Sequence, residues 1–230
     1  MTFKNTVFAA CLVSLAPLVG GCTPSGPGAT AQQDIVDRST LALQEILNST
    51  QSSDVVDTLR SSRAVMICPQ VFKAGFILGG SGGNCVLMAR AAAGSWSDPA
   101  FFTIGSGSIG AQAGIQDAEV MIMIMNDRAL RAVMQNHFKI GGDASLAFAT
   151  VGAGVGGATT TALRADIVTF SRTRGLYAGV SIEGSVLSPD TDSDVAYYGQ
   201  PYNAPQIVVQ MMANNPGANP LRATLSQYGG

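Results

Sequence analysis

Residues 71–90 read VFKAGFILGGSGGNCVLMAR, and this stretch decides the fold class that the sequence predicts. Two runs rich in apolar residues, Val71–Leu78 and Asn84–Arg90, flank the glycine-rich residues Gly79–Gly83. Short apolar runs on either side of a glycine cluster are typical of two antiparallel strands joined by a turn. The stretch therefore predicts a β-hairpin whose turn is the glycine run.

The rest of the chain has the same texture of short strands and few helices. Further strands are predicted at residues 64–68, 101–104, 108–116, 119–125, 143–151, 163–172 and 180–186, the last from a strict alternation of apolar and polar residues. Helices are predicted at residues 34–47, from 53 or 54 to 60, at 128–136 with Asn126 or Asp127 as the N-cap, and near 207–212 and 220–227. No long linker divides residues 34–230. The pattern predicts one α+β domain with a mainly antiparallel, glycine-rich sheet, open or closed into a barrel, and a few N- and C-terminal helices.

Composition excludes several classes of protein. Apolar residues make up 47% of the 230 residues and charged residues 12%, which is a globular rather than a disordered composition. The formal net charge is −2, whereas a nucleic-acid-binding protein needs a strong basic excess. No nucleic-acid partner is expected.

The N-terminus has the pattern of an export signal. Lys4 precedes an apolar run, Val7–Val19, that is too short and too broken by Pro17 to span a membrane comfortably. The run ends in two glycines and Cys22, which resembles a lipobox, the site where bacterial lipoproteins are cleaved and acylated. The alternative is ordinary cleavage, with Cys22 incidental.

The expected organisation is a signal peptide at residues 1–21, lipidated Cys22 at the start of a Pro/Gly-rich tether over 22–33, and a domain from 34 to 230. By resemblance to other lipoproteins, Thr23 in place of Asp suggests the outer membrane, with the protein facing the periplasm or the cell surface. Export would place Cys68 and Cys85 in an oxidising compartment. A disulfide between neighbouring strands and two buried free thiols both remain open.

Two glycine motifs imitate enzyme signatures. Gly79–Gly83 matches the G-x-S-x-G nucleophile elbow around Ser81, but the elbow needs a following helix and a histidine, and a strand is predicted instead. Gly105–Gly110 matches the G-x-G-x-x-G dinucleotide fingerprint, with Asp127 where a ribose-binding acid would stand, but no βαβ pattern surrounds it. We expect neither a catalytic residue nor a cofactor.

A metal site is not expected either. His137 is the single histidine, and no ligand cluster accompanies it. Asp190, Asp192 and Asp194 fall in a predicted solvated loop that lacks the glycine and the final glutamate of an EF-hand.

From Ala64 onward the chain resembles the SYLF family of lipid-binding domains. The matching stretches follow one another in family order: Ala64–Pro69, 71–76 with Gly79 and Gly80, Gly94–Phe102, Gly107–Gly114, Phe170–Gly184 and Tyr197–Gly199. The resemblance implies a domain that binds anionic phospholipids or phosphoinositides. Some eukaryotic members also bind actin, which is not an expected partner for an exported protein.

The sequence thus predicts a non-catalytic phospholipid-binding module anchored to a membrane through Cys22. Arg60, Arg63 and Lys73 are the first candidates for contacts with lipid head groups, and Arg172 and Arg174 are the second.

Two rival functions remain. One is an envelope structural or interaction protein that docks a protein partner through Trp96, which lies beside Pro99 and Phe101–Phe102. The other is an enzyme that depends on Ser81 or His137.

Overall fold

The computed structural model describes residues 27–48, 52–75, 78–109, 114–142, 148–151, 165–174 and 182–230. The predicted signal peptide and Cys22 lie outside these residues. In the described part of the chain, no helix combines the length and the apolar character needed to span a bilayer.

The described residues form one α+β unit. The helices are α1 Pro27–Leu47, α2 Ser52–Ser61, α3 Asp127–Val133, α4 Thr191–Tyr198, α5 Ala204–Val208 and α6 Asn219–Gly229, with a 3-10 turn at Pro216–Ala218. The strands are β1 Ala64–Gly75, β2 Leu78–Ala89, β3 Ala100–Ile109, β4 Gly114–Ile124, β5 Phe138–Lys139, β6 Phe148–Val151, β7 Ile167–Arg174 and β8 Val186–Pro189.

These strands form one mainly antiparallel sheet, which confirms the predicted fold class. The strand order is β5-β8-β3-β2-β1-β4-β7-β6, and β6 is parallel to β7 while the other pairs are antiparallel. Strands β5 and β6 are the two edges, so the sheet formed by the described residues is open rather than closed.

The glycine run lies inside a strand and not in a turn, contrary to the prediction. Strands β1 and β2 do form an antiparallel hairpin, but their register pairs Gly75 with Gly79, so the connection precedes the run. Residues 79–83 pair with β1 on one side and with β3 on the other. Two neighbouring strands satisfy the backbone polar groups of the glycines, which outweighs the low strand propensity of glycine.

Residues 182–185 form a turn rather than the predicted half-buried strand. Gly184 has a φ of +83°, which an extended strand does not accommodate, and β8 begins only at Val186. Residues 180 and 181 lie outside the described part.

Helix α1 begins earlier than predicted, so part of the predicted tether is helical. It starts at Pro27 instead of Asp34. Proline is favourable at a first helical position because its missing N–H has no partner there, and the alanines and glutamines that follow have high helix propensity.

The sheet is covered on both faces. Because side chains alternate along a strand, each strand contributes to two clusters. On the α1 face, buried residues such as Val65, Val86 and Phe101 pack with α1, α2, α4 and α6. On the α3 face, residues such as Met66 and Leu87 pack with α3 and α5.

Candidate functional site

The first two candidate head-group residues are engaged with carboxylates. Arg60 lies 3.6 Å from Asp57 on the exposed side of α2. The Nε of Arg63 lies 2.7 Å from Oδ1 of Asp127. Each guanidinium already has an anionic partner, so neither is a free phosphate ligand in this state.

The other candidates do not join them. Arg172 pairs with Glu45 of α1 and lies 3.6 Å from Glu119 on the neighbouring strand. The side chain of Arg174 lies outside the described part. Lys73 is ten residues beyond Arg63 along β1, which corresponds to about 30 Å in a strand. The structure therefore does not gather the five cations into one site.

A different surface stands out on the α1 face of the sheet. The antiparallel register of β2 and β3 pairs Gly82 with Gly105 and Gly80 with Gly107. Gly80, Gly82 and Gly107 are exposed, and Gly105 is half-buried. We call these four residues the glycine trough.

Packing does not require glycine at these positions. A Cβ on Gly82 would lie 3.8 Å from the Ile104 carbonyl oxygen, and a Cβ on Gly105 would lie 3.8 Å from that of Ser81. Among the described residues, the nearest atom to a Cβ on Gly80 is 3.6 Å away, a Cβ on Gly107 would have no neighbour within 4 Å, and none of the four glycines has a positive φ. These glycines leave a strip of backbone bare rather than relieving a clash.

A groove of about 460 Å³ lies between α1 and the sheet, and Gly82 is the residue of the glycine trough that lines it. Phe72 on β1 faces Gly82 in the register, lines the groove and is 46% exposed. The rim is polar, because Arg38 pairs with Asp34 at 3.0 Å and Gln70 donates to Asp117 at 2.9 Å. The groove thus combines a flat floor, one exposed aromatic ring and a charged rim.

Sequence reasoning missed this site, although a signal was present. Gly80 and Gly82 are two residues apart, as are Gly105 and Gly107, which is the spacing of one strand face. Interpreting the first pair as a turn concealed the match.

Ser81 and His137 do not form a catalytic pair. The Ser81 hydroxyl lies 2.7 Å from that of Ser106, whereas Nδ1 of His137 lies 3.3 Å from the Ser188 hydroxyl. Ser81 therefore has the local partner of a strand residue and no described imidazole beside it.

The predicted loop that contains Asp190, Asp192 and Asp194 is in fact the start of helix α4. Asp190 is the N-cap and accepts a hydrogen bond from the Ser193 amide at 3.1 Å. The prediction of a solvated side chain is wrong for Asp194, which is fully buried. Its carboxylate accepts a hydrogen bond from the Phe101 amide at 2.9 Å. Burial raises the pKa of Asp194 to about 7.

A second buried carboxylate ties the C-terminal segment to the sheet. Asp98 accepts a hydrogen bond from the Asn215 amide at 2.9 Å and lies 3.6 Å from Arg222, while burial raises its pKa. Both aspartates thus serve the packing of the segment after β8. Within the described ranges, no group of three or more His, Cys, Asp or Glu side chains is arranged to hold a metal ion.

Trp96 belongs to the core rather than to a docking surface. It is 1% exposed, and the guanidinium of Arg90 lies 4.6 Å from the centre of its ring. The rival function as a protein-docking module therefore loses its predicted anchor.

Cys68 and Cys85 form a disulfide, which resolves the alternatives left open by the sequence. The bond links β1 to β2 beside the irregularity in their register between Ile67 and Gln70. Both cysteines are fully buried in the cluster on the α3 face.

Comparisons with known proteins indicate where the chain belongs. Residues 105–228 match the family described as Ysc84, Las17-binding protein actin regulator. An SH3 domain-containing protein of Schizosaccharomyces pombe is 30% identical over 192 residues, which is 82% of this chain and 43% of that protein. The SH3 domain-containing YSC84-like protein 1 of Xenopus laevis is 32% identical over 56% of this chain and 39% of its own length.

Protein YSC84 of Saccharomyces cerevisiae is 27% identical over 66% of this chain and 33% of its own length. The chain thus spans less than half the length of the curated relatives it matches. More than half of the chain fits the family model, and the fold holds the matching stretches in one sheet with its helices. The chain therefore belongs to the Ysc84 family, the family that its SYLF-like stretches indicate.

Proposed function

We propose that this protein is a non-catalytic lipid-binding module in which the groove and the glycine trough take the apolar part of a phospholipid. The main support for this proposal is a solvent-exposed strip of sheet without side chains, bordered by the exposed ring of Phe72. Strand β2 lies between β1 and β3, so the N–H and C=O groups of Gly80 and Gly82 are paired in the ladder, and this part of the floor offers Cα hydrogens rather than unpaired polar groups. An acyl chain is narrow and apolar, so it can lie on such a floor.

Family membership supports the proposal and also defines its rival. The family description names Las17 binding and actin regulation, which are properties of protein partners. Burial of Trp96 removes the anchor that the sequence offered for such a partner. The bare strip and the groove favour a lipid.

Vesicle flotation of the non-acylated protein tests the proposal. Phe72→Ala should weaken the association with phospholipid vesicles, because an exposed apolar ring beside the trough is lost. Leu41→Ala is the matched control, since Leu41 is a more exposed apolar side chain, at 59%, on α1 and outside the lining of the groove. Equal losses in the two variants would contradict the role of the groove. Co-sedimentation with actin filaments in the absence of any vesicle binding would overturn the lipid function.

We also propose that the chain is an outer-membrane lipoprotein acylated on Cys22. The leader pattern supports this, and so does the Cys68–Cys85 disulfide, because such bonds persist in oxidising compartments. Several acyl chains on one cysteine would hold the domain at a membrane, since each buried methylene contributes about 0.8 kcal/mol.

Mass spectrometry of the native protein tests the anchor. The expected mass is that of a polypeptide beginning at Cys22, with acyl groups added and two hydrogens lost to the disulfide. A polypeptide that begins at Met1 and carries no acyl group would contradict the lipoprotein proposal without touching the lipid-binding proposal.

A further inference from the structure

Most of the described basic side chains already have a partner, which leaves few that can bind an external anion. Carboxylates lie beside Arg38, Arg60, Arg63, Arg128, Arg172 and Arg222, and the guanidinium of Arg90 donates to backbone carbonyls. Three basic side chains have neither kind of partner among the described residues, namely Lys73, Arg131 and Lys139. These three are the described cations that are free to meet an external anion.

Lys139 lies in the same row of the sheet as the glycine trough. The register pairs Lys139 with Val186, Val186 with Gly105, Gly105 with Gly82, and Gly82 with Phe72. Neighbouring strands lie about 4.8 Å apart, so the backbone of Lys139 is about 10 Å from that of Gly105 and about 19 Å from that of Phe72. The row therefore runs from an apolar ring, over two bare glycines and a valine, to a cation at the sheet edge.

The burial pattern places this row on one face. The neighbours Phe138 and Leu187 are buried in the cluster on the α3 face. Because side chains alternate, Lys139 and Val186 lie on the opposite face, with the trough. Lys139 is exposed at the edge strand β5.

His137 adds a second polar group at this edge. It is exposed, and its Nδ1 lies 3.3 Å from the hydroxyl of Ser188 on β8. Its φ of 60° lies in the left-handed region, which is uncommon for a residue other than glycine. At the sheet edge, a surface hollow of about 420 Å³ is lined by His137 and Lys139 with Gln135 and Asn136, and also by Ala132, Phe138 and Gly142. Cation, imidazole and amides thus meet in one small concavity.

We propose that this edge binds the phosphate of a single phospholipid whose acyl chain lies across the glycine trough. Lys139 supplies the charge, His137 and the amide side chains of Gln135 and Asn136 supply hydrogen bonds, and Val186 bridges the polar and apolar halves. The inference rests on the proposed lipid-binding function and adds the orientation of the bound lipid, with its phosphate at the sheet edge and its acyl chain on the glycine trough. Lys73, by contrast, is on the α3-face side of β1 and is not part of the row.

Two charge variants of the full mature chain, each carrying Cys22→Ala to remove the anchor, test the proposal. The probes are vesicles of phosphatidylcholine with and without phosphatidylglycerol. Lys139→Gln should weaken binding to the anionic vesicles about fivefold, the effect of about one basic residue near an anionic surface. Lys73→Gln removes the same charge from the other face and should change binding less than about twofold. Equal losses would show general charge attraction and would overturn the site.

A third variant, Gly105→Val, tests whether trough and edge act together. The backbone leaves room for a Cβ at this position. The variant should fold, as judged by Trp96 emission, and should lose the preference for anionic vesicles. A retained preference would overturn the coupling of trough and edge. Inorganic phosphate at 10 mM, about a hundredfold excess over the lipid, serves as a competitor. Release of the protein from the vesicles by this phosphate would also overturn the proposal, because it would show a phosphate site that does not need the acyl chain.

Failure of this inference and failure of the proposed function give different results. If Phe72→Ala weakens binding but Lys139→Gln does not, the lipid module stands and the head-group site falls. If the protein without any substitution in the groove binds no vesicle, the proposed lipid-binding function itself is wrong.

Discussion

Gly82 and Gly83 are adjacent in β2 and have opposite structural requirements. A Cβ on Gly82 would have ordinary room, whereas a Cβ on Gly83 would lie 2.2 Å from the backbone oxygen of Gln70. We predict that Gly83→Ala lowers the free energy of unfolding by more than about 2 kcal/mol, because backbone must move to admit the methyl group. Gly82→Ala should leave it unchanged or raise it by up to about 1 kcal/mol.

Urea unfolding of the two variants beside the unmodified protein measures both effects. Similar midpoints for the two alanine variants would contradict this account of the glycine run. It would mean that β1 and β2 are not held as closely at Gln70 as the register indicates.

The buried carboxyl of Asp194 predicts an unusual dependence of stability on pH. Its pKa is raised by burial from 3.8 to about 7 in the folded protein. The folded state therefore holds a proton that the unfolded state releases, so this contribution is complete below about pH 4 and is lost as pH rises through about 7. The free energy of unfolding should fall by up to about 1.4 kcal/mol per pH unit in that window.

Asp194→Asn should flatten the profile while keeping an oxygen that accepts from the Phe101 amide. Asp192→Asn is the matched control, because Asp192 is exposed in the same helical turn. Thermal melts at intervals from pH 4 to 8 measure the effect. A profile that Asp192→Asn alters and Asp194→Asn does not would refute the prediction.

The disulfide acts at the scale of the β1–β2 hairpin. Cys68 and Cys85 close a loop of 17 residues in sequence, and both sulfurs are buried. We predict that replacing both cysteines by alanine lowers the free energy of unfolding by about 3 kcal/mol, the entropic contribution of a loop of this length. The measurement is guanidinium unfolding with and without a reducing agent.

Reduction should bring the protein with both cysteines close to the stability of the double alanine variant. Unfolding of the two proteins at the same midpoint under oxidising conditions would show that the bond does not stabilise the hairpin.

Helix α1 shows how tertiary contacts extend an element beyond its sequence pattern. Gln33, which was assigned to the tether, donates to the Gly217 carbonyl at 3.1 Å and accepts a hydrogen bond from Tyr197 at 3.2 Å. Both partners lie more than 160 residues away in the chain. These contacts fix the first turns of α1 against the C-terminal helices. Periodicity within residues 34–47 contains no information about them.

At the scale of the whole molecule, the two buried clusters share one sheet. Strands β1 to β4 contribute alternate residues to both faces, so neither cluster is complete without the other. We predict a single cooperative unfolding transition. Trp96 is the only tryptophan and is 1% exposed, so its emission should shift to longer wavelength in that transition.

Far-UV circular dichroism and Trp96 fluorescence should therefore give coincident denaturation curves. Two separated transitions would show that the C-terminal segment, which holds Trp96 through α6, unfolds as an independent unit.

Local patterns predicted elements whose stability is local. Helix α3 was predicted with Asn126 or Asp127 as its cap, and Asn126 caps it by accepting from the Ala129 amide. The α+β class followed from many short apolar runs separated by glycine and polar residues. The groove could not be predicted in the same way, because its walls come from α1, β1, β2 and β3.

The amino-acid sequence alone determined the class of fold and the family, because composition and short sequence motifs are properties of neighbours along the chain. Only the tertiary structure decided that the glycines lie in strands, that Asp194 is buried and that Lys139 shares a row with the glycine trough. Strand register sets these facts, and a slip of one residue would turn every side chain of a strand to the other face. Register is chosen by the packing of both faces together, which no single stretch of sequence contains.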